Sequence, residues 1–244
     1  MSLTVTVLGS SGTYAGPDGA CTGFLVRSPG ATVMMDAGPG TLANLQRHVA
    51  PRALDAVVLS HSHPDHWLEL PVLRNALKYV LACGDLDVYA TAETLELAVE
   101  VTGGRLESTF RPHIISDGAE FSVGDQRWRC SRTDHPVETM GLRVDAGGRS
   151  LGYTADTGPE WSLAELGEVD LGLSEATFLH DSHERNPVHL SAHQAGSAAR
   201  ASGVGRLVIT HVLPTGSPEE SVAEASDAYG APVDVATLHR TFDV

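Results

Sequence analysis

His61-Ser62-His63-Pro64-Asp65-His66 packs three histidines and an aspartate into one short run of a 244-residue chain. The apolar run before it, Ala56-Val57-Val58-Leu59, reads as a buried strand. Trp67-Leu68-Glu69-Leu70-Pro71-Val72-Leu73 after it begins a helical pattern. A strand that ends in such a cluster presents its imidazoles on a turn, where they can converge. Neutral imidazole and carboxylate are the donors that borderline divalent metals such as zinc prefer. One histidine in that place is ordinarily a surface residue or part of a helix start. Several ligand types at this spacing point instead to a metal.

The run resembles the HxHxDH signature of the metallo-β-lactamase fold superfamily. The further donors that family needs follow in order, each after a short β-like run. His135 lies in Arg132-Thr133-Asp134-His135-Pro136, Asp156 in Gly152-Tyr153-Thr154-Ala155-Asp156-Thr157-Gly158, and His211 after Arg206-Leu207-Val208-Ile209-Thr210. The resemblance covers almost the whole chain. It implies that His61, His63 and His135 bind one metal, that Asp65, His66 and His211 bind a second, and that Asp156 bridges both. Asp65 then counts among the catalytic groups as well as the ligands. Such metals stand ~3.5–4 Å apart and share a water whose pKa they lower toward ~7, which makes metal-assisted hydrolysis the implied reaction class. Two Zn²⁺ ions are the expected cofactors; Mn²⁺ or Fe²⁺ suit the same donors. Taken singly, Asp65 reads as a helix cap and Asp156 as a turn residue. Asp36, in Met34-Met35-Asp36-Ala37-Gly38, is read either as a residue that orients a ligand histidine or as a plain turn aspartate.

Bulk properties bound the rest. The length suits one domain, taken as residues 1–244, with a sizeable core. Hydrophobic content is 42% and net charge is −15, which argues against a broad nucleic-acid surface. A small anionic substrate is compatible with that charge, because bound dications make a pocket locally positive. The three cysteines, Cys21, Cys83 and Cys130, are far apart and read as reduced, mostly buried thiols of a cytoplasmic protein. Met1 to Gly9 reads as a strand rather than a signal peptide, and no apolar run approaches a membrane span. Gly9-Ser10-Ser11-Gly12 is a turn that lacks the ending of a phosphate-binding P-loop.

Strand patterns fall at residues 3–7, 24–26, 32–35, 56–59 and 87–90. Helical patterns follow at 41–48, capped by Thr41, then at 66–82 and 92–102. Residues 113–153 read as four or five short strands, and 163–167 as a short helix. The remainder alternates: strand 169–173, helix 191–202, strand 206–210, helix 218–229 and a final strand near 233–236. This order predicts an α/β fold of two mixed sheets stacked face to face with helices outside, an αββα sandwich with the metal residues on loops at one rim.

Two further stretches narrow the branch. Ser174-Glu175-Ala176-Thr177-Phe178 resembles the HEAT motif, and His189-Leu190-Ser191-Ala192 the HST motif, of the tRNA 3′-end endonucleases (RNase Z). In that group a carboxylate and a histidine deliver a proton to the leaving oxygen. The resemblance therefore makes His189 the general acid and Glu175 its orienting partner. The plain reading is that Ser191 and Gln194 form a capping box that His189 merely flanks. His180, His183 and His193 read as surface histidines.

The chain departs from RNase Z at three points. Ser60 replaces the usual threonine, Ser174 replaces the first His of HEAT, and the interval between His135 and Asp156 is too short for the tRNA-gripping arm. A tRNA substrate is therefore not expected. The chain is similar to the armless atypical cyclic nucleotide phosphodiesterases of actinobacteria. The similarity extends over Leu8 to Gly12, Asp134 to Arg143 and Thr210 to Pro214. The expected activity is hydrolysis of a small anionic phosphodiester such as a 3′,5′-cyclic nucleotide, with a homodimer as the expected assembly and no membrane partner. RNase Z proper, a glyoxalase II-like thioester hydrolase, a β-lactamase and a non-catalytic metal-dependent module are the competing readings.

Overall fold

Runs such as Val57-Val58-Leu59 and Leu207-Val208-Ile209 are apolar on both faces, so a sheet built from them needs cover on both sides. The computed structural model, which describes residues 2–180 and 188–244, provides that cover. His183 lies outside the described residues.

The first sheet has the order β14-β1-β2-β3-β4-β5-β6. Its strands are β1 (Thr4–Gly9), β2 (Gly23–Ser28), β3 (Ala31–Met35), β4 (Ala56–Val58), β5 (Leu86–Ala90), β6 (Phe110–Ile114) and β14 (Thr241–Asp243). The second has the order β13-β12-β11-β10-β9-β8-β7. It contains β7 (Glu120–Val123), β8 (Gln126–Arg132), β9 (Met140–Ala146), β10 (Arg149–Tyr153), β11 (Leu171–Glu175), β12 (Arg206–Thr210) and β13 (Asp234–Val235). Both sheets are mixed. β3 to β6 run parallel in the first, and β10 to β13 in the second.

The helices are α1 (Thr41–Leu45), α2 (Pro64–Trp67), α3 (Leu70–Asn75), α4 (Ala92–Val101), α5 (Ala192–Ala201) and α6 (Pro218–Tyr229). Strand alternation divides the apolar residues among three cores. Phe24, Val26, Val33, Met35, Val58, Leu142, Leu173 and Val208 meet between the sheets. Leu25, Met34 and Val57 point the other way, onto Leu45, Leu73 and Ala98 of the helices flanking the first sheet. Leu207 and Ile209 pack on Ala195, Ala199 and Ala225 of α5 and α6. The expected four-layer αββα sandwich of the metallo-β-lactamase fold is therefore observed.

Several local expectations change. The segment expected to be one helix over 66–82 is broken into α2, α3 and a π-helical turn, Ala76–Val80. The broken path carries Pro64 and Pro71, and each sits in the first turn of its own helix, where its missing N–H costs nothing. Thr41 is not the cap of α1. Gly40 takes that place with φ 93°, and Thr41 Oγ1 donates back to Gly38 O at 2.6 Å. The expected strand near 233–236 forms, and a further strand not expected from the sequence follows it. Asp234–Val235 extends the second sheet, while Thr241–Asp243 crosses to pair with β1 in the first. Short, partly polar sequences gave no periodic signal for that crossing. No helix among the described residues is long and apolar enough to cross a membrane.

All three cysteines are free; Cys21 and Cys130 are buried and Cys83 is partly exposed. Burial raises the Cys21 thiol to about 11 and the Cys130 thiol to about 12. An alkylating reagent at neutral pH should therefore label Cys83 first. Cys21 and Cys130 should react only on unfolding, as read by peptide mass spectrometry.

Candidate metal centre

All seven expected metal ligands follow the carboxyl ends of strands at one rim of the sandwich. Asp36 follows β3, the His61–His66 run follows β4, His135 follows β8, Asp156 follows β10, and His211 follows β12; Glu175 is the last residue of β11. Parallel strands that point the same way bring these ends together although they lie far apart in sequence. The backbone there is unusual. Thr13, Asp36, Ala155 and His211 hold left-handed φ values of 63, 55, 51 and 59°, which non-glycine residues keep only where their surroundings enforce them. Two glycines allow close approach. A Cβ on Gly38 would sit 1.9 Å from Asp65 O, and one on Gly12 would sit 2.7 Å from His211 Nδ1.

The donors converge in two adjoining groups. His61, His63, His135 and Asp156 each offer an atom within 4.8 Å of the others, and so do Asp65, His66 and His211. Asp156 stands between the groups. Its Oδ2 is 3.6 Å from His61 Nε2, while Oδ1 is 3.3 Å from both His66 Nε2 and His211 Nε2. Asp65 Oδ2 lies 3.4 Å from His211 Nε2 and accepts the Thr13 N–H at 2.8 Å. A third grouping, Asp156, His189 and His211, overlaps the second.

Hydrogen bonds to the outward ring nitrogens set which nitrogen of His61, His66, His135 and His211 faces inward. Asp36 Oδ2 accepts from His66 Nδ1 (2.8 Å), from Ser60 Oγ (2.9 Å) and from the Tyr153 hydroxyl (2.9 Å). Asp36 Oδ1 accepts the Ser60 N–H at 2.7 Å. Ser60 Oγ, its proton given to Asp36, accepts from His61 Nδ1 at 2.9 Å. Thr177 Oγ1 donates to Glu175 Oε2 at 2.7 Å and accepts from His211 Nδ1 at 2.9 Å. His135 Nδ1 donates to Val188 O at 3.0 Å. In each case the opposite nitrogen is left as a lone pair facing the cluster.

A divalent cation fits these residues on two observations. The buried His61 Nε2 and Asp156 Oδ1 have no hydrogen-bond partner, a costly arrangement unless a ligand engages them. Acceptor nitrogens also crowd together, with His135 Nε2 at 3.2 Å from His63 Nδ1 and His66 Nε2 at 3.4 Å from His211 Nε2. The electrostatics agree. Burial drives His61, His63 and His135 below the ordinary imidazole value, favouring the neutral ring a metal needs. Burial also disfavours charge on Asp156, but His211, His66 and His61 overcome it and hold the carboxyl well below the usual range. For His66, burial is outweighed by Asp156 and Asp36, which raise its value, so a cation and a proton compete for Nε2.

Beside the donors lies a dyad of the buried Glu175 and the partly buried His189. Glu175 Oε1 accepts from His189 Nδ1 at 3.0 Å and from the Thr157 N–H at 2.6 Å; Oε2 also accepts the Leu190 N–H at 3.1 Å. The His189 ring stacks at 5.4 Å on His211, and Nδ1 lies 4.0 Å from Asp156. Burial opposes charge on His189, but Glu175 outweighs it and raises the imidazole to about 9. The capping box of Ser191 and Gln194 is present as well, so the two readings of this stretch are compatible. Ser174 turns its hydroxyl to Glu175 O, outside the cluster. His180 is exposed and packs its ring 4.9 Å from the partly buried His193, apart from the donor groups.

The Asp36 reading as an orienting residue agrees with its contacts. Tyr153 and Thr13, which act on residues distant in sequence, were not anticipated, and Thr177 was visible only as part of the HEAT-like stretch, with no sign that it reaches His211. Asp36→Ala should leave Ser60, His66 and Tyr153 donors buried without an acceptor. The expected cost is about 3–5 kcal/mol in urea denaturation, with metal affinity about 10–100-fold weaker by titration.

The family profile described as the β-lactamase superfamily domain matches residues 31–212. The chain belongs to that superfamily, and its fold and donor set are those of a metal-dependent hydrolase. Among its relatives is an uncharacterized protein of Mycobacterium tuberculosis, 35% identical over 100% of this chain and 93% of the relative. The crystal structure of the metallo-β-lactamase fold protein YhfI from Bacillus subtilis superimposes with a TM-score of 0.90 and 25% identity, covering 98% of each chain. A ribonuclease Z of Mycobacterium marinum is 28% identical over 98% of this chain and 98% of that protein, which supports the RNase Z-like branch.

Proposed function

We propose that the protein hydrolyses a small phosphodiester, with 3′,5′-cyclic nucleotides as the leading substrate class. The observation that carries this reading is the Glu175–His189 dyad, with a 3.0 Å hydrogen bond, set against Asp156 and His211. A phosphodiester's leaving alkoxide needs a proton, whereas a thiolate, whose conjugate acid has a pKa of ~8.5, departs without one. The dyad therefore favours phosphodiesters over thioesters.

Two divalent cations, held by His61, His63, His135, Asp65, His66 and His211 with Asp156 between them, would supply charge neutralisation at the phosphoryl group and an activated water. Zinc is the expected metal; Mn²⁺ and Fe²⁺ suit the donors. The chain's own groups do the rest. Asp36, Ser60 and Thr177 keep the ligand rings in register. Glu175 fixes the His189 ring through Nδ1 and stabilises its protonated form, so Nε2 is the nitrogen that hands a proton to the leaving oxygen.

Substrate size follows from what separates His135 from Asp156. That interval is occupied by β9 and β10, joined by the Gly147-Gly148 turn and paired in register from Arg149↔Ala146 to Tyr153↔Leu142. A tRNA-gripping arm has no place there. The decisive assay sets 3′,5′-cyclic AMP beside a precursor tRNA and a glutathione thioester, using Zn²⁺- and Mn²⁺-loaded protein. The expected result is cyclic nucleotide hydrolysis that a chelator abolishes and added metal restores. Thioester cleavage with the phosphodiesters untouched would overturn the reading, and tRNA cleavage alone would move it to RNase Z.

A further inference from the structure

Two aromatic residues lie on segments tied to the candidate metal centre without a role in holding it. Tyr14 is 51% exposed and follows Thr13, whose N–H is bonded to Asp65. The loop beneath it is pinned. The Gly12 N–H donates to Val212 O, the Tyr14 N–H donates to Gly12 O at 2.7 Å, and Ser11 bridges to both Cys21 and Val212. Phe178 is half-buried. Its N–H donates to Leu190 O and its carbonyl accepts the Ala192 N–H, so it is tied to the segment that carries His189. Its ring meets His189 edge-on, with centroids 6.1 Å apart. Tyr14 is thus the chain neighbour of the residue bonded to Asp65, and the Phe178 ring lies against His189.

Only 5% of the chain is aromatic, and five of its rings, Trp128, Tyr153, Phe24, Phe110 and Phe242, are fully buried. The other strongly exposed ring, Tyr79, has Lys78 and Arg74 over it. An aromatic ring held at the rim of a phosphodiester site on an anchored backbone offers a π-face at little cost in conformational entropy. Every nucleobase has a complementary π-face, and base stacking on an aromatic side chain strengthens binding about 5- to 150-fold.

We propose that Tyr14 and Phe178 are specificity residues that stack on the base of a nucleotide substrate while its phosphodiester lies over the metal centre. The inference rests on the phosphodiesterase reading above. Stacking tolerates sequence, so both purine cyclic nucleotides should be accepted, with pyrimidines weaker because their rings overlap less.

The test compares kcat/KM for 3′,5′-cyclic AMP with kcat/KM for a base-free ribose 3′,5′-cyclic phosphate in the metal-loaded protein. In Tyr14→Ala and Phe178→Leu the ratio of the two should fall about ten-fold, mainly through KM for the nucleotide. Tyr14→Phe should keep the ratio of the unmodified protein. Competitive inhibition by 5′-AMP relative to ribose 5-phosphate should weaken in parallel. If the unmodified protein cleaves both esters and the ratio stays the same in Tyr14→Ala and Phe178→Leu, the stacking role is wrong and the phosphodiesterase reading stands. If the unmodified protein cleaves neither, both are overturned.

Discussion

Asp156→Ala should abolish metal-dependent hydrolysis, lowering kcat by at least about three orders of magnitude, because bound dications contribute several kcal/mol to the transition state. The geometry explains the size of the effect. Among the described residues, Asp156 is the one whose two oxygens face different donor groups, Oδ2 toward His61 and Oδ1 toward His66 and His211. Removing it takes a ligand from both groups at once. The fold should survive. The Asp156 backbone carbonyl still accepts from Thr133 Oγ1, and the carboxylate oxygen Oδ1 gives up no hydrogen bond. The measurement is metal content by elemental analysis together with turnover and the thermal midpoint. A folded variant that retains both metal equivalents and its turnover would remove Asp156 from the site.

His189→Ala should lower kcat for a cyclic nucleotide about 10²- to 10⁴-fold, the usual contribution of a positioned general acid. The loss should depend on the leaving group. An alkoxide needs the proton, whereas p-nitrophenolate is stable without it, so a p-nitrophenyl phosphodiester should lose little. Glu175→Gln should give a smaller loss in the same direction, because an amide oxygen can still accept from Nδ1 but no longer stabilises the imidazolium. The competing role follows from the third donor grouping, in which His189 joins Asp156 and His211. Were His189 a metal ligand, the alanine variant would lose a metal equivalent and slow every substrate alike. Equal losses on both leaving groups would thus refute the proton-donor role.

Much of the site was readable because its chemistry is carried by rare residue types in tight local patterns. The run from His61 to His66 is contiguous, and a strand, a turn and a helix start can be recognised around it from periodicity alone. The alternation of strand-rich and helical stretches likewise pointed to two stacked sheets with helices outside, which is why the layered sandwich was foreseeable. Glu175 and His189 were visible as types in motifs, but nothing local said that they touch.

What the sequence alone determined, then, was the donor inventory, the strand and helix order and the lack of room for an arm between His135 and Asp156. Tertiary structure decided which donors share a group, since that depends on parallel strands ending at the same rim. It also decided the tautomers, through Asp36 on His66, Ser60 on His61 and Thr177 on His211. Asp36 and Tyr153 meet at 2.9 Å from opposite sheets, and β14 leaves the second half of the chain to pair with β1. The physical reason is common to all of these. Local propensity reports on neighbours a few residues away, whereas a buried hydrogen bond or sheet partner is chosen by the packing of the whole chain, where an unpaired polar group costs more than any local preference.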